Sequence, residues 1–150
     1  MNVTSANPSG LGDALGQYVD AGGNVVLGTY GTSSPWAITG QIQMTGYDPL
    51  VNLGTNGAVS GALVAINPSD PIFNSVIPSS ISYFHNTNFA HAGLDAGATL
   101  LATDGSGHDM IAINAAGNVF SNDLYFATGA GNSAGVYQIL ANELNSFGPG

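Results

Sequence analysis

The sequence predicts one α/β domain over residues 1–150: a three-layer, mostly parallel sheet with helices on its faces and a C-terminal β-hairpin plus helix. Three observations predict it. An N-terminal helical period runs through a short link into a continuous apolar strand, further β-branched runs follow, and a helical period returns at the C-terminus.

The first helix opens with Asn7 as cap and Pro8 at the first helical position, and Gly22-Gly23 stops it. Leu11, Ala14, Leu15, Tyr18 and Val19 recur at i, i+3, i+4, i+7 and i+8, which assigns them to the apolar face. Asn24 to Tyr30 then reads as a strand buried on both faces, the pattern of a parallel sheet. Residues 31–60 lose any sustained period and read as an irregular excursion over the end of the sheet, anchored in part by Trp36.

Strand patterns resume at Gly61–Ile66, Ile81–His85, Ala98–Thr103 and Asp109–Asn114, with a single helical turn at Ile72-Phe73 after the Asn67–Pro71 turn. Ala115-Ala116-Gly117 connects Asp109–Asn114 to Asn118–Phe126 as a hairpin. Asn132-Ser133 cap a last helix whose apolar face is Val136, Tyr137, Leu140, Ala141, Leu144 and Phe147, ended by Gly148-Pro149.

Composition limits function more sharply than it limits fold. The chain has no Lys or Arg and a formal charge of -9, so it lacks the cations that nucleic acid or an anionic membrane surface requires. It has no Cys, hence no disulfide, thiolate metal site or thiol nucleophile. No apolar run reaches the roughly 18 residues of a bilayer-spanning helix, so no membrane insertion is expected. No basic, then apolar, leader pattern follows Met1; a secretion signal is therefore cleaved, carried by a longer precursor, or absent. Asn2-Val3-Thr4 is a glycosylation sequon that places a candidate glycan on Asn2.

Leu11–Leu15, Tyr18–Gly23 and the Val-rich strand after them, together with Tyr83–His91, Gly97–Ala102 and Ile139–Leu144, resemble a glutamine-amidotransferase-like, flavodoxin-type domain of secreted bacterial proteins. The resemblance implies a doubly wound sheet. It departs from active members of that class in having no Cys for the nucleophile elbow and no Gly-x-Ser-x-Gly in its place, so glutaminase chemistry is not available. It also implies a strand and helix ahead of Met1, whose absence would expose a parallel sheet edge suited to pairing with another chain.

Five residues are candidate ligand contacts. His85, Asn88 and His91 either converge on a metal or act as acid and base, with His108 or Asp109 as a further ligand; the preferred reading is that they cap backbone groups of a long loop. Trp36 and Tyr47, with Tyr30, form a sugar-stacking platform or, preferably, anchor the excursion. Asp104, Ser106 and Asp109 offer oxygens to Ca²⁺, the one candidate cofactor, although Asp104–Asp109 serves equally as a hairpin turn and lacks the ladder of an EF-hand. Asp48, Asp70, Asp95 and Asp123 read as solvated turn or capping residues, and Glu143 as a surface residue of the last helix.

These features point to a non-catalytic extracellular structural or interaction domain that polymerises with itself, as a filament or surface-layer subunit. A surface rich in amides and hydroxyls suits packing between copies, and the chain offers trypsin no cleavage site. The alternative is a degenerate hydrolase or carbohydrate-binding module using the His85/His91 loop. Repulsion between copies should fall as pH approaches the sequence pI near 4.1, or as salt or Ca²⁺ is added.

Overall fold

Asn7 and Pro8 start the first helix. In the computed structural model, which describes residues 5–28, 37–50, 57–87, 93–124 and 134–148, α1 spans Pro8–Asp20, and the Gly10 amide donates to Asn7 Oδ1 at 2.9 Å. Gly22, at φ 89°, turns the chain into β1 (Val25–Gly28). A 3-10 turn at Gln41–Gln43 follows, then β2 (Gly57–Ala62) and β3 (Val64–Ala65). Two further 3-10 turns, Pro71–Phe73 and Pro78–Ser80, lead to β4 (Ser82–Thr87). The chain continues through β5 (Thr99–Thr103), β6 (Asp109–Ile113) and β7 (Val119–Asn122) to α2 (Ala134–Ser146).

The main sheet has the order β1-β7-β6-β5-β3, and β2 and β4 form a separate antiparallel ribbon. This overturns the mostly parallel, three-layer flavodoxin-like sheet expected from the sequence. Only β1 and β7 run parallel, with Val25 opposite Val119 and Gly28 opposite Asn122; the pairs β7–β6, β6–β5 and β5–β3 are antiparallel. The reason lies in the connections. Residues 104–108 and 114–118 are all that join β5 to β6 and β6 to β7, whereas a parallel crossover takes about a dozen residues or more. The pattern of β1 did report a parallel strand, but its parallel partner lies at the far end of the chain.

Strand alternation divides the β1–β7 end of the sheet between two cores. Val25, Leu27 and Val119 join Val19 of α1 and Ile42 in one cluster, with Leu15, Ile38 and Tyr47 packed against it. Val26 and Phe120 point the other way, into a cluster with Val136 and Ile139 of α2 and with Leu63, Ile72, Phe73, Ile81 and Met110. The Phe120 and Phe147 rings meet edge to face, with centroids 5.3 Å apart. Asn142 fastens the outer side of α2 by donating to the carbonyls of Ile72 and Asn74 at 2.8 and 2.9 Å.

Both helices bury faces only partly marked by their large apolar residues. In α1 the buried positions are Gly12, Gly16 and Val19, while Leu11 and Tyr18 are exposed. The glycines let residues 39–42 lie directly on the helix: a Cβ at Gly12 would collide with the Thr39 carbonyl, and one at Gly16 with the Gln41 side chain. In α2 the buried positions are Val136, Ile139 and Glu143, and Tyr137 and Leu144 face out. Close approach, rather than apolar bulk, decides which side of α1 takes residues 39–42.

An exposed helical Gly→Ala change stabilises by about 1 kcal/mol. At Gly12 the sign should invert, with a loss of about 2 kcal/mol from overpacking against backbone. Urea unfolding of Gly12→Ala beside the parent chain checks this; an unchanged or raised midpoint would show that residues 39–42 do not pack against α1 as described.

Candidate functional site

Among the described residues, most of the buried polar side chains gather at the carboxyl end of the parallel pair β1–β7. Ser121, Asn122 and Asp123 follow one another there, and all three are buried. Alternation sends Ser121 and Asp123 toward Asp48, and Asn122 toward Glu143 on α2. Successive residues of one strand end thus hold two buried carboxyl groups.

Glu143 is 0 % exposed. Asn122 Nδ2 donates to its Oε1 at 2.6 Å, while Asn122 Oδ1 accepts the Leu124 amide at 2.9 Å, which fixes the orientation of the Asn122 amide. Glu143 Oε2 has no hydrogen-bond partner among the described residues. Burial pushes its pKa up from 4.5 to about 8, and the Asn122 hydrogen bond opposes that shift only in part. Burial therefore favours the neutral, protonated form of Glu143.

Asp48 is 5 % exposed. Its Oδ1 accepts the Leu50 amide at 3.0 Å and its Oδ2 accepts Gln43 Nε2 at 2.7 Å. Burial raises its pKa from 3.8 to about 6; the Leu50 amide, Gln43 and Ser121 pull it down, and the like charge of Asp123 pushes it up. The sequence reading of Glu143, Asp48 and Asp123 as solvated residues is thereby corrected. Asp70 does cap a turn, accepting the Ile72 amide at 3.1 Å, and Asp95 accepts the Gly46 amide.

A signal for Glu143 was present in the sequence, since it falls four residues after Ile139 and seven after Val136, in step with the buried period. Asp48 and Asp123 had no such signal, because both lie where the chain leaves regular structure.

The other candidate residues fall apart spatially or lie outside the described residues. Tyr47 belongs to a latch: its hydroxyl donates to Asp20 Oδ1, and Gln41 Nε2 donates to Asp20 Oδ2 and to the Tyr47 oxygen, each at 2.7 Å. That latch ties the 41–47 segment to the end of α1. Asp104 turns its oxygens inward on its own loop, accepting the amides of Ser106 and His108 at 2.8 Å and contacting His108 Nδ1 at 2.6 Å. Burial pushes Asp104 up, but the His108 ring and the two amides outweigh it and lower its pKa.

Asp109 opens β6 opposite Thr103. Among the described residues no group of three or more His, Asp or Glu is placed to hold a metal ion. In β4 the backbone register sets His85 opposite Val59; its side chain, together with Asn2, Trp36, Asn88 and His91, lies outside the described residues.

The sequence matches no protein-family model and no curated protein. Nothing in these comparisons identifies a glutamine-amidotransferase-like domain. Among the described residues no helix is long and apolar enough to cross a membrane.

The arrangement holds protons inside the protein. In this conformation neither carboxyl is open to a solute, so both act on the fold: Glu143 joins α2 to β7, and Asp48 joins residues 43–50 to β7. Asn122→Ala removes the one donor to Glu143 and should cost about 2 kcal/mol, the penalty of an unpartnered buried polar group. Denaturant unfolding near pH 5 is the measurement, and a cost under about 0.5 kcal/mol would mean that the amide is not the link between α2 and the sheet.

Proposed function

We propose that this chain is a non-catalytic structural domain of the extracellular space that associates with further copies of itself. The observation that carries the reading is the β3 edge of the main sheet. Among the described residues β3 pairs as a strand with β5 alone. The Leu63 amide just before it donates to the Ile81 carbonyl and the Pro78–Ser80 turn packs on it, so its outer side is open only in part, toward Ala65 and Ile66. Val64 and Ile66, two residues apart and so on one face, are 46 % and 56 % exposed, and Ile77, before the 3-10 turn packed on β3, is 69 % exposed.

Natural sheet edges are commonly blocked by Lys, Pro or a bulge. This edge strand carries no charge or proline, and the chain has no Lys to place there. An uncharged β-branched strip is also the part of a -9 molecule that a second copy approaches with the least repulsion. Antiparallel pairing of β3 with β3 about a twofold axis would extend one sheet through both copies. Each half-exposed Val or Ile so covered contributes about 1 kcal/mol.

The absence of trypsin sites and the amide- and hydroxyl-rich composition support an extracellular setting. Light scattering across a concentration series tests the assembly. Association should strengthen toward the sequence pI near 4.1 and with added salt or Ca²⁺. Val64→Lys or Ile66→Lys should weaken it about tenfold or more. A chain that stays monomeric at high concentration under all these conditions would sink the proposal.

A further inference from the structure

β7 is gripped at its carboxyl end by two acids that share no cation, because the whole chain contains no Lys or Arg. Among the described residues the only ion pair joins Asp104 to His108, in a different loop. A buried carboxylate is tolerated when a cation or several donors surround it. Glu143 has one donor, the Asn122 amide, and its second oxygen meets no partner among the described residues.

Among the described residues the groups facing each acid supply no positive charge either. On α2 Glu143 is the sole titratable residue besides Tyr137. The 3-10 turn packed against α2 brings Asp70, and β7 brings Asp123. Around residues 41–50 stand Asp13, which accepts the Gln41 amide at 2.8 Å, Asp20 on Gln41 and Tyr47, Asp95 on the Gly46 amide, and Asp123 beside Asp48. None of these is a cation, so a new negative charge would rest on neutral donors alone: the Leu50 amide, Gln43 and Ser121 for Asp48, and Asn122 for Glu143.

We infer that the end of β7 is a proton lock: protonated Asp48 and Glu143 hold the 41–50 segment and α2 against the sheet, and rising pH releases first the one and then the other. The two acids take opposite faces of β7, which makes the releases separable. Loss of the Asp48 proton frees a segment that α1 and Asp95 still tether. Loss of the Glu143 proton puts an unpaired charge in the core shared by α2, Phe120 and Ile139. The device is independent of self-association and would operate in a monomer.

The sign follows from proton binding. Both folded-state values lie above the ordinary ones, so the folded chain keeps protons that the unfolded chain sheds. The stabilisation is complete below about 4 and is lost as pH rises through about 6 for Asp48 and about 8 for Glu143.

The experiment is denaturant unfolding of the full chain at intervals from about pH 5 to pH 9, with segment-resolved amide exchange corrected for intrinsic rates. One linked proton changes the unfolding constant about tenfold per pH unit. The parent chain should therefore unfold more readily with rising pH up to about 8 and level off beyond it, with residues 41–50 losing protection at lower pH than α2. Glu143→Gln should abolish the dependence between about 6 and 8 and halve the slope below about 6, whereas Asp48→Asn should halve the slope below about 6 and leave the rest. A parent unfolding constant that is flat across the range, or a variant that keeps the parent slope in its own window, would overturn the proposal. Should Glu143→Gln fail to fold, the parent profile and Asp48→Asn still decide it.

Discussion

A chain with nine carboxyl groups and no Lys or Arg cannot neutralise an acid with a basic side chain other than histidine, and the placement of its acids follows from that constraint. Each carboxylate must find neutral N–H or O–H donors or else keep its proton. The exposed ones take the first course: Asp13 holds the Gln41 amide, Asp20 holds Gln41 and Tyr47, and Asp70 caps Ile72. Asp104 gathers two amides and an imidazole from its own loop. Asp48 and Glu143, whose pKa burial raises, lean to the second, and they meet at β7.

β7 can serve as the meeting point because of where the topology puts it. It is the one strand with a parallel neighbour on one side and an antiparallel neighbour on the other, so its carboxyl end lies beside that of β1. Its alternating residues face α1 with the 3-10 turn on one side and α2 on the other. Gly12 and Gly16 allow residues 39–42 to lie on α1, and the same segment then delivers Asp48 to Ser121 and Asp123. A small-residue helix face and a buried acid are thus parts of one packing arrangement.

Much of the local structure was legible in the sequence. The cap and stop residues of α1, the apolar run of β1, the turn at Ala115-Ala116-Gly117 between β6 and β7 and the helical turn at Ile72-Phe73 all rest on short-range rules of backbone conformation. Which helix faces were buried was legible only in part: Val19 and Val136 are buried as their periods indicate. Leu11 and Tyr18 carried the apolar period of α1, yet they are exposed and glycines face residues 39–42; Glu143 sits in the buried period of α2, where charge argued against it. Of the residues singled out as a site, Tyr47 and Asp104 are engaged in holding their own segments, and the carboxyls that matter most to the fold read as ordinary surface acids.

The sequence by itself determined the electrostatics: an acid-only molecule without thiols, unsuited to nucleic acid, and obliged to hold its carboxyls with neutral donors or protons. It also determined most helix and strand positions, because capping, turn and period signals act over a few residues. Only the tertiary structure decided strand direction and which acids are buried. Parallel pairing of β1 with β7 joins residues at opposite ends of the chain, and the burial of Asp48 and Glu143 depends on what is packed over them; neither leaves a mark on neighbouring residues that a local pattern could carry.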